Sequence, residues 1–202
     1  MTQQKKIPFW LIITVAIFIA LGGGAFGIFY TKKTIQTPPQ QTETIGGGFQ
    51  LISPSGNVVS NGTFRGRWML MYFGASRCLH DVCSQNLNKI GKVMELLGKK
   101  SSKIAPIFIS FDSEYDTPER LMFYMKPFNS KIIALSGGEL AVRDISILYH
   151  VPFKTVQATE KTKLIDPFDQ FILMNPTGQY DRSISTNESA EQLAETLNTI
   201  IQ

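Results

Sequence analysis

Thiols and imidazoles are scarce in this chain. Its 202 residues include two cysteines, Cys78 and Cys83, and two histidines, His80 and His150. Two cysteines exclude a disulfide-stapled mini-protein and a four-cysteine zinc finger. Charge is also sparse, at 18% of residues. Of the twenty basic residues, Lys5, Lys6, Lys32 and Lys33 flank one apolar run; the sixteen from Gly46 onward are matched by fifteen acidic ones. That balance leaves no basic stripe for phosphates, which argues against a nucleic-acid partner. There is no internal repeat, no Gly-rich phosphate loop, no nucleophilic Ser–His–Asp set and no haem-attachment motif.

What is present is unevenly distributed. Residues 7–30 (IPFWLIITVAIFIALGGGAFGIFY) carry no charge. As a helix rising about 1.5 Å per residue, this run spans roughly 36 Å, enough to cross a hydrocarbon core of about 30 Å. A cleaved signal peptide is the competing reading, and Gly22 to Ala25 offer small residues for cleavage. Its apolar stretch is usually about 7–15 residues, however, so the length favours an uncleaved transmembrane anchor. Two lysines lie on each side, and only the free amino terminus tips the count toward N-terminus inside. The leader, residues 1–6 (MTQQKK), lacks the Arg- and Ser-rich character of a mitochondrial presequence. A bacterial inner membrane, with the soluble domain in the periplasm, is the expected location. Residues 31–45 (TKKTIQTPPQQTETI) have little to bury and read as an extended tether. Residues 46–202 are long enough for one well-buried domain.

Within that domain the pattern alternates. Phe49–Ile52 and Val58–Ser60 read as a hairpin pivoting at Gly56. Trp68–Phe73 and Ile104–Phe111 are nearly continuous apolar runs, as expected of strands buried on both faces. Between them Leu87, Ile90, Met94 and Leu97 recur at helical spacing, predicting a helix from Val82 to Leu97. Thr117-Pro118-Glu119 reads as N-cap, first-turn proline and first-turn acid, opening a helix that ends near Phe128. A third strand is expected at Ile132–Leu135 and a helix at Glu139–Tyr149. A fourth strand at Phe171–Met174 leads through Asn175–Gly178 into a hairpin partner at Gln179–Ile184. An amphipathic helix, Glu188–Ile201, closes the chain. The order implies an α/β fold: a mixed sheet with helices on both faces, preceded by one transmembrane helix. Ligand chemistry in such folds collects beyond the carboxyl ends of the strands, and both cysteines follow the strand at 68–73.

The cysteine segment sets its own geometry. If Asp81 caps the following helix, Cys83 sits near its second position, where the dipole and unpaired N–H groups favour a thiolate. Arg77 is expected to add to that effect. Residues five apart on one helix point about 140° apart, so Cys78 belongs to the loop, folded back toward Cys83. Such a pair closes a disulfide or binds a soft ion such as Cu(I). A purely structural disulfide is the plain alternative. Its loop is so short that the entropic gain is modest, which favours functional thiols.

The chain resembles the SCO/SenC family. The matching segments are GGGFQLISPSGNVVS, FRGRWMLMYFGASRCLHDVC, IFISFDSEYDTPERLMFYM, KIIALSGGE and LIDPFDQFILMNPTG, with DSEYDTPE (112–119) especially specific. The resemblance implies a membrane-anchored, thioredoxin-like copper protein. It implies Cu(I) carried on Cys78 and Cys83 to the copper-bearing subunit of cytochrome c oxidase, or a thiol–disulfide oxidoreductase using the same pair there. A thiol reductant is implied as a further partner. Two departures stand out. The family places three residues between its cysteines, and this chain has four. The family's third copper ligand is a histidine directly after an aspartate; counting back from Gly178, that aspartate is Asp166 and the next residue is Pro167. His80, between the cysteines, is a candidate substitute ligand, against a plain reading as a solvated loop residue. His150 is a weaker candidate at a helix end. The cluster Asp112, Glu114, Asp116 and Glu119 offers a metal or docking role, against the plainer reading of a helix start with exposed neighbours. The methionines fall within strands and helices and read as core.

Overall fold

The computed structural model of the chain describes residues 44–152, 154–157, 159 and 163–201. The apolar segment 7–30 and most of the tether lie outside the described residues. Among the described residues no helix is long and apolar enough to cross a membrane.

The elements in chain order are β1 (Gln50–Ile52), β2 (Val58–Ser60), β3 (Trp68–Gly74), α1 (Val82–Leu96), β4 (Ile104–Ser110), α2 (Pro118–Met125) and β5 (Ile133–Leu135). They continue as α3 (Glu139–Leu148), β6 (Lys154–Gln157), β7 (Lys163–Asp166), β8 (Gln170–Met174), β9 (Tyr180–Ser185) and α4 (Ala190–Ile200). Five strands form the central sheet in the order β5-β4-β3-β8-β9. β3, β4 and β5 run parallel, while β8 lies antiparallel to β3 and to β9. The mixed α/β sheet expected from the alternation is therefore present.

The apolar run in β3 is continuous because both faces of the sheet are covered. Side chains alternate across a strand. Leu70 and Tyr72 pack with Leu87 and Ile90 of α1 and with Leu193 and Leu197 of α4. Met69, Met71 and Phe73 face the other way, against Leu51 of β1 and Val142 and Ile145 of α3. Met94 and Met174 are likewise buried, so these methionines are core residues. Local signals explain the element ends. Thr117 accepts from the Arg120 N–H with Pro118 following, and Ser189 and Gln192 form a capping box for α4. At the end of α3, His150 takes a left-handed conformation. Its N–H donates to Ile147 O, and that of Val151 donates to Ser146 O, which closes the helix in a Schellman motif.

The first residues of the domain are fastened to this same helix end. The Gly46 N–H donates to Leu148 O at 2.7 Å, and the Tyr149 hydroxyl donates to Gly47 O at 3.0 Å.

Two features depart from the sequence-based expectation. A second antiparallel hairpin, β6–β7, occupies a stretch where no element was expected. All four residues of β6 are exposed, so it lacks the apolar run that reveals a buried strand. The acidic cluster is also not simply a helix start with exposed neighbours. Asp112 and Asp116 are buried, while Glu114 and Glu119 are exposed.

Candidate functional site

The parallel pairing of β3 with β4 sets Gly74 opposite Ser110. Beyond these strand ends the chain turns through Ala75–Asp81 into α1. Cys78 and Cys83 are joined as a disulfide, with their Cα atoms 5.8 Å apart. The loop returns on itself through a short helical turn, Leu79–Asp81, with His80 and Asp81 both in the left-handed region at φ 53° and 57°. Non-glycine residues adopt this region at a cost of about 1 kcal/mol or more each, least for residues such as Asp, Asn and His. Asp81 holds the N-cap position but makes no side-chain cap bond, contrary to the expected role. Its left-handed backbone serves the turn. Cys83 nevertheless occupies the second position of α1, as the spacing predicts.

The two sulfurs have different surroundings. Cys83 is completely buried, and Cys78 is partly exposed. Cys83 Sγ accepts from the Ala75 N–H at 3.4 Å and from the Tyr72 hydroxyl at 3.6 Å. Tyr72 in turn accepts from Asn86 Nδ2 at 3.0 Å. Burial pushes the Tyr72 hydroxyl far up from its ordinary value. Gly74 lies against the pair: a Cβ there would collide with Cys83 Sγ and sit 3.5 Å from Cys78 Sγ. Only glycine lets the disulfide approach the strand this closely.

Two buried carboxylates hold the loop. Asp116 accepts from the Ser76 N–H at 2.8 Å and from the hydroxyls of Ser76 and Ser110. Asp112 pairs with Arg77, whose Nε and an Nη approach at 2.8 and 2.7 Å. The Arg77 guanidinium also lies 3.9 Å from the centre of the Tyr115 ring. Burial raises the Asp112 carboxyl above its ordinary range, outweighing the opposing bond and charge of Arg77. Arg77 is thus paired with Asp112. Sequence reasoning overlooked Tyr72, Asn86, Ser76 and Ser110. One of them left a signal, since Asn86 falls on the same helical stripe as Cys83, Leu87 and Ile90.

The β6–β7 hairpin reaches the same loop. Ile165 bridges to Cys78, and its N–H donates to Arg77 O at 2.9 Å. Asp166 and Pro167 follow directly, so the segment matched to the family's third ligand lies beside the cysteine loop. A cleft of about 230 Å³ lies alongside, lined in part by Arg77, Asp112, Glu139, Arg143, Lys163 and Ile165. His80 is exposed, and its carbonyl accepts from Gln85 Nε2. His150 sits at the end of α3. Among the described residues no three of His, Cys, Asp and Glu converge as a metal-holding group. In this disulfide form, neither imidazole therefore joins the two sulfurs in a three-ligand set.

A cysteine pair at a strand end and helix start, on a mixed sheet covered on both faces, defines a thioredoxin-like domain with a thiol–disulfide pair. Comparison with known proteins narrows this. A family model described as SCO1/SenC matches residues 37–202. An SCO2-like protein of Rickettsia prowazekii is 30% identical, over 96% of this chain and 98% of its own length. The structure of Bradyrhizobium japonicum ScoI with copper bound is 30% identical and superposes with a TM-score of 0.71, covering 77% of this chain and 98% of that one. Yeast Sco1 with copper bound is 29% identical with a TM-score of 0.70, covering 76% and 86%. The chain belongs to the SCO1/SenC family.

Proposed function

We propose that the chain is a copper carrier for assembly of the binuclear copper site of cytochrome c oxidase. Reduced Cys78 and Cys83 hold one Cu(I) between two thiolates and pass it to the thiolates of the copper-bearing subunit. The observation that carries this reading is the convergence of the two cysteines, 5.8 Å apart at Cα, with one sulfur buried and the other reachable. Copper-bound relatives of the same fold support it. Two soft thiolates suit Cu(I), which accepts low coordination numbers, and suit Cu(II) poorly. With Pro167 beside Asp166 in place of the family's histidine, the cargo is Cu(I).

Loading requires the pair to be reduced. Two thiols of a reductant supply two electrons: the Cys78–Cys83 bond breaks, two cysteine thiols form and the reductant leaves as a disulfide. Residues 7–30 anchor the chain in a bacterial inner membrane, and the domain works on the periplasmic side.

A second reading follows from the missing third ligand. The pair then acts as a thiol–disulfide oxidoreductase on the oxidase or its partners. The Cys78 thiolate, on the exposed side, attacks a partner disulfide and releases one partner thiolate. Cys83 then displaces the second, leaving the Cys78–Cys83 disulfide and a reduced partner.

One titration separates the readings. The full chain in detergent micelles is reduced and challenged with Cu(I) in the presence of a strong chelator. Retention of one Cu(I), abolished by Cys78→Ser with Cys83→Ser, is expected. Failure to retain copper would remove the carrier reading and leave the oxidoreductase. Replacement of His80 by alanine leaves the affinity unchanged if two sulfurs are the whole site.

A further inference from the structure

The nearly balanced charge of the domain conceals a local excess. At the end of the sheet where β3 and β4 begin, residues 61–67 and 97–104 hold Arg65, Arg67, Lys99, Lys100 and Lys103 and no acidic residue. A pocket of about 460 Å³ opens there, lined in part by Arg67, Lys99, Ser101, Ser102 and Lys131. Three separate segments deliver its cations: Arg67 precedes β3, Lys99 lies in the turn after α1 and Lys131 leads into β5. The Lys131 ammonium donates to Ser101 Oγ at 2.8 Å, which leaves it two further N–H groups. Among the described residues none of these three cations is in an ion pair, and no carboxylate lines the pocket. The cleft beside the cysteine loop, at the other end of the same strands, instead sets Asp112, Glu114 and Glu139 against Arg77, Arg143 and Lys163. Converging cations with serine hydroxyls between them suit a phosphate group.

The same end of the sheet receives the incoming chain. Gly46 lies so close to Met174 that a Cβ there would collide with the methionine Cε. The strand partner of Met174 is Met69, two residues beyond Arg67. We propose that the basic pocket binds the phosphate of an anionic phospholipid headgroup, setting this end of the domain on the bilayer and directing the cysteine loop away from it. The inference rests on the reading of residues 7–30 as a bilayer anchor. Residues 31–45, at no more than about 3.5 Å each, reach at most roughly 50 Å. A domain held that near the surface needs only weak headgroup affinity, because tethering keeps the effective concentration high. Cations act on an anionic surface over a Debye length, about 8 Å at physiological salt. The pocket gathers its cations within that range of one point, whereas the balanced charges of the cleft give no net attraction at the cysteine end. The exposed sulfur then stays open to a partner on the side remote from the lipid.

The test places the full chain in nanodiscs of phosphatidylglycerol or of phosphatidylcholine and follows amide exchange by mass spectrometry. Exchange over Gly98–Lys103 is expected to be at least about threefold slower in phosphatidylglycerol. The slowing is lost at about 1 M salt, where the screening length is about 3 Å. Lys99→Gln with Lys131→Gln removes it, and Lys99→Arg with Lys131→Arg keeps it. The cysteine loop, residues 75–81, exchanges alike in both discs. Equal exchange of Gly98–Lys103 in the two discs overturns the proposal, as does slowing that survives the glutamine pair or that falls on the cysteine loop instead. Should the glutamine pair fail to fold, undiminished slowing in Lys99→Gln alone, at an exposed position, does so. Inorganic phosphate, added to the chain in neutral detergent at the phosphate concentration of the discs, is expected to slow nothing. Slowing equal to that in phosphatidylglycerol would make this a site for free anions and overturn the lipid assignment. Co-elution with the discs reads the anchor separately. A chain that co-elutes with neither disc removes the anchor and this inference with it; one that co-elutes with both and exchanges alike defeats this inference alone. No copper enters the readout, so the carrier reading and this inference fail independently.

Discussion

The two sides of the cysteine site are built by opposite means. The strand–helix side, comprising Tyr72, Gly74, Ser76, Cys83 and Asn86, grows out of the hydrophobic core, and its polar groups are bonded inside it. The hairpin side, β6–β7 with Asp166 and Pro167, is a surface addition joined to the loop through the bond from the Ile165 N–H to Arg77 O. A site whose first side is set by packing keeps its sulfurs in place while its second side changes. The pairing of Cys78 with Cys83 therefore does not depend on which side chain follows Asp166 on the hairpin.

This contrast can be broken from either side. The largest effect is expected at Asp116, which ties Ser76 to the end of β4. Asp116→Ala strands buried donors and is expected to lower unfolding stability by about 3 kcal/mol. It also speeds amide exchange at Ser76, and urea denaturation with exchange mass spectrometry reads both. A cost below about 1 kcal/mol would show that the core does not hold the loop through this carboxylate. Next comes Gly74→Ala, whose methyl presses on Cys83 Sγ. Overpacking of this kind costs about 2 kcal/mol and is expected to slow closure of the disulfide on reoxidation, measured by thiol counting. Wild-type reoxidation in this variant would mean that the strand end yields to the sulfur.

On the hairpin side, Pro167→His adds an imidazole two residues beyond Ile165, which bridges to Cys78. A gain of at least about tenfold in copper affinity, about 1.4 kcal/mol, is expected, with a Cu(II)–thiolate absorption that the natural chain lacks. No gain would place the difference between this chain and its copper-bound relatives elsewhere than in this one donor. The smallest effect is a pH dependence. Asp112 has a raised carboxyl in the folded state, so folding takes up its proton more readily than the unfolded chain does. Its contribution to stability is present at acid pH, below the unfolded value, and is lost as pH rises through the folded value. The stability of the natural chain relative to Asp112→Asn should therefore increase as pH falls through the carboxylate range, as read by urea midpoints at several pH values. The opposite slope would mean that Arg77, not burial, governs this carboxyl.

The sequence made the core side legible where a pattern had a single cause. Trp68–Phe73 had to be a doubly covered strand, and Leu87, Ile90 and Met94 had to line a helix. Cys83 at the start of that helix followed from the same reading. The polar half of the site was harder to see. Tyr72 reads as bulk in an apolar run until a sulfur is found at its hydroxyl. Asp112 and Asp116 precede a Thr-Pro helix start and resemble first-turn acids. Their partners, Ser76 and Arg77, lie far away in sequence and are delivered only by the pairing of Gly74 with Ser110. The β6–β7 hairpin was not expected because β6 is fully exposed and β7 buries only Ile165, so neither carries an apolar run. The extra residue between the cysteines was visible, but its accommodation by two consecutive left-handed residues was not.

The fastening of Gly46 and Gly47 to the end of α3 has a mechanical consequence. Glu139, at the start of that helix, borders the cleft beside the cysteine loop, whereas Leu148 and Tyr149 receive the incoming chain at its far end. Ten helical residues, about 15 Å of rigid rod, separate the two points. The Gly46–Leu148 and Tyr149–Gly47 bonds therefore fix the start of the domain at the end of α3 that is remote from the cleft. The cysteine loop is held separately, by Asp112 and Asp116, so the bonds that fasten Gly46 and Gly47 and the bonds that fix the two sulfurs share no residue.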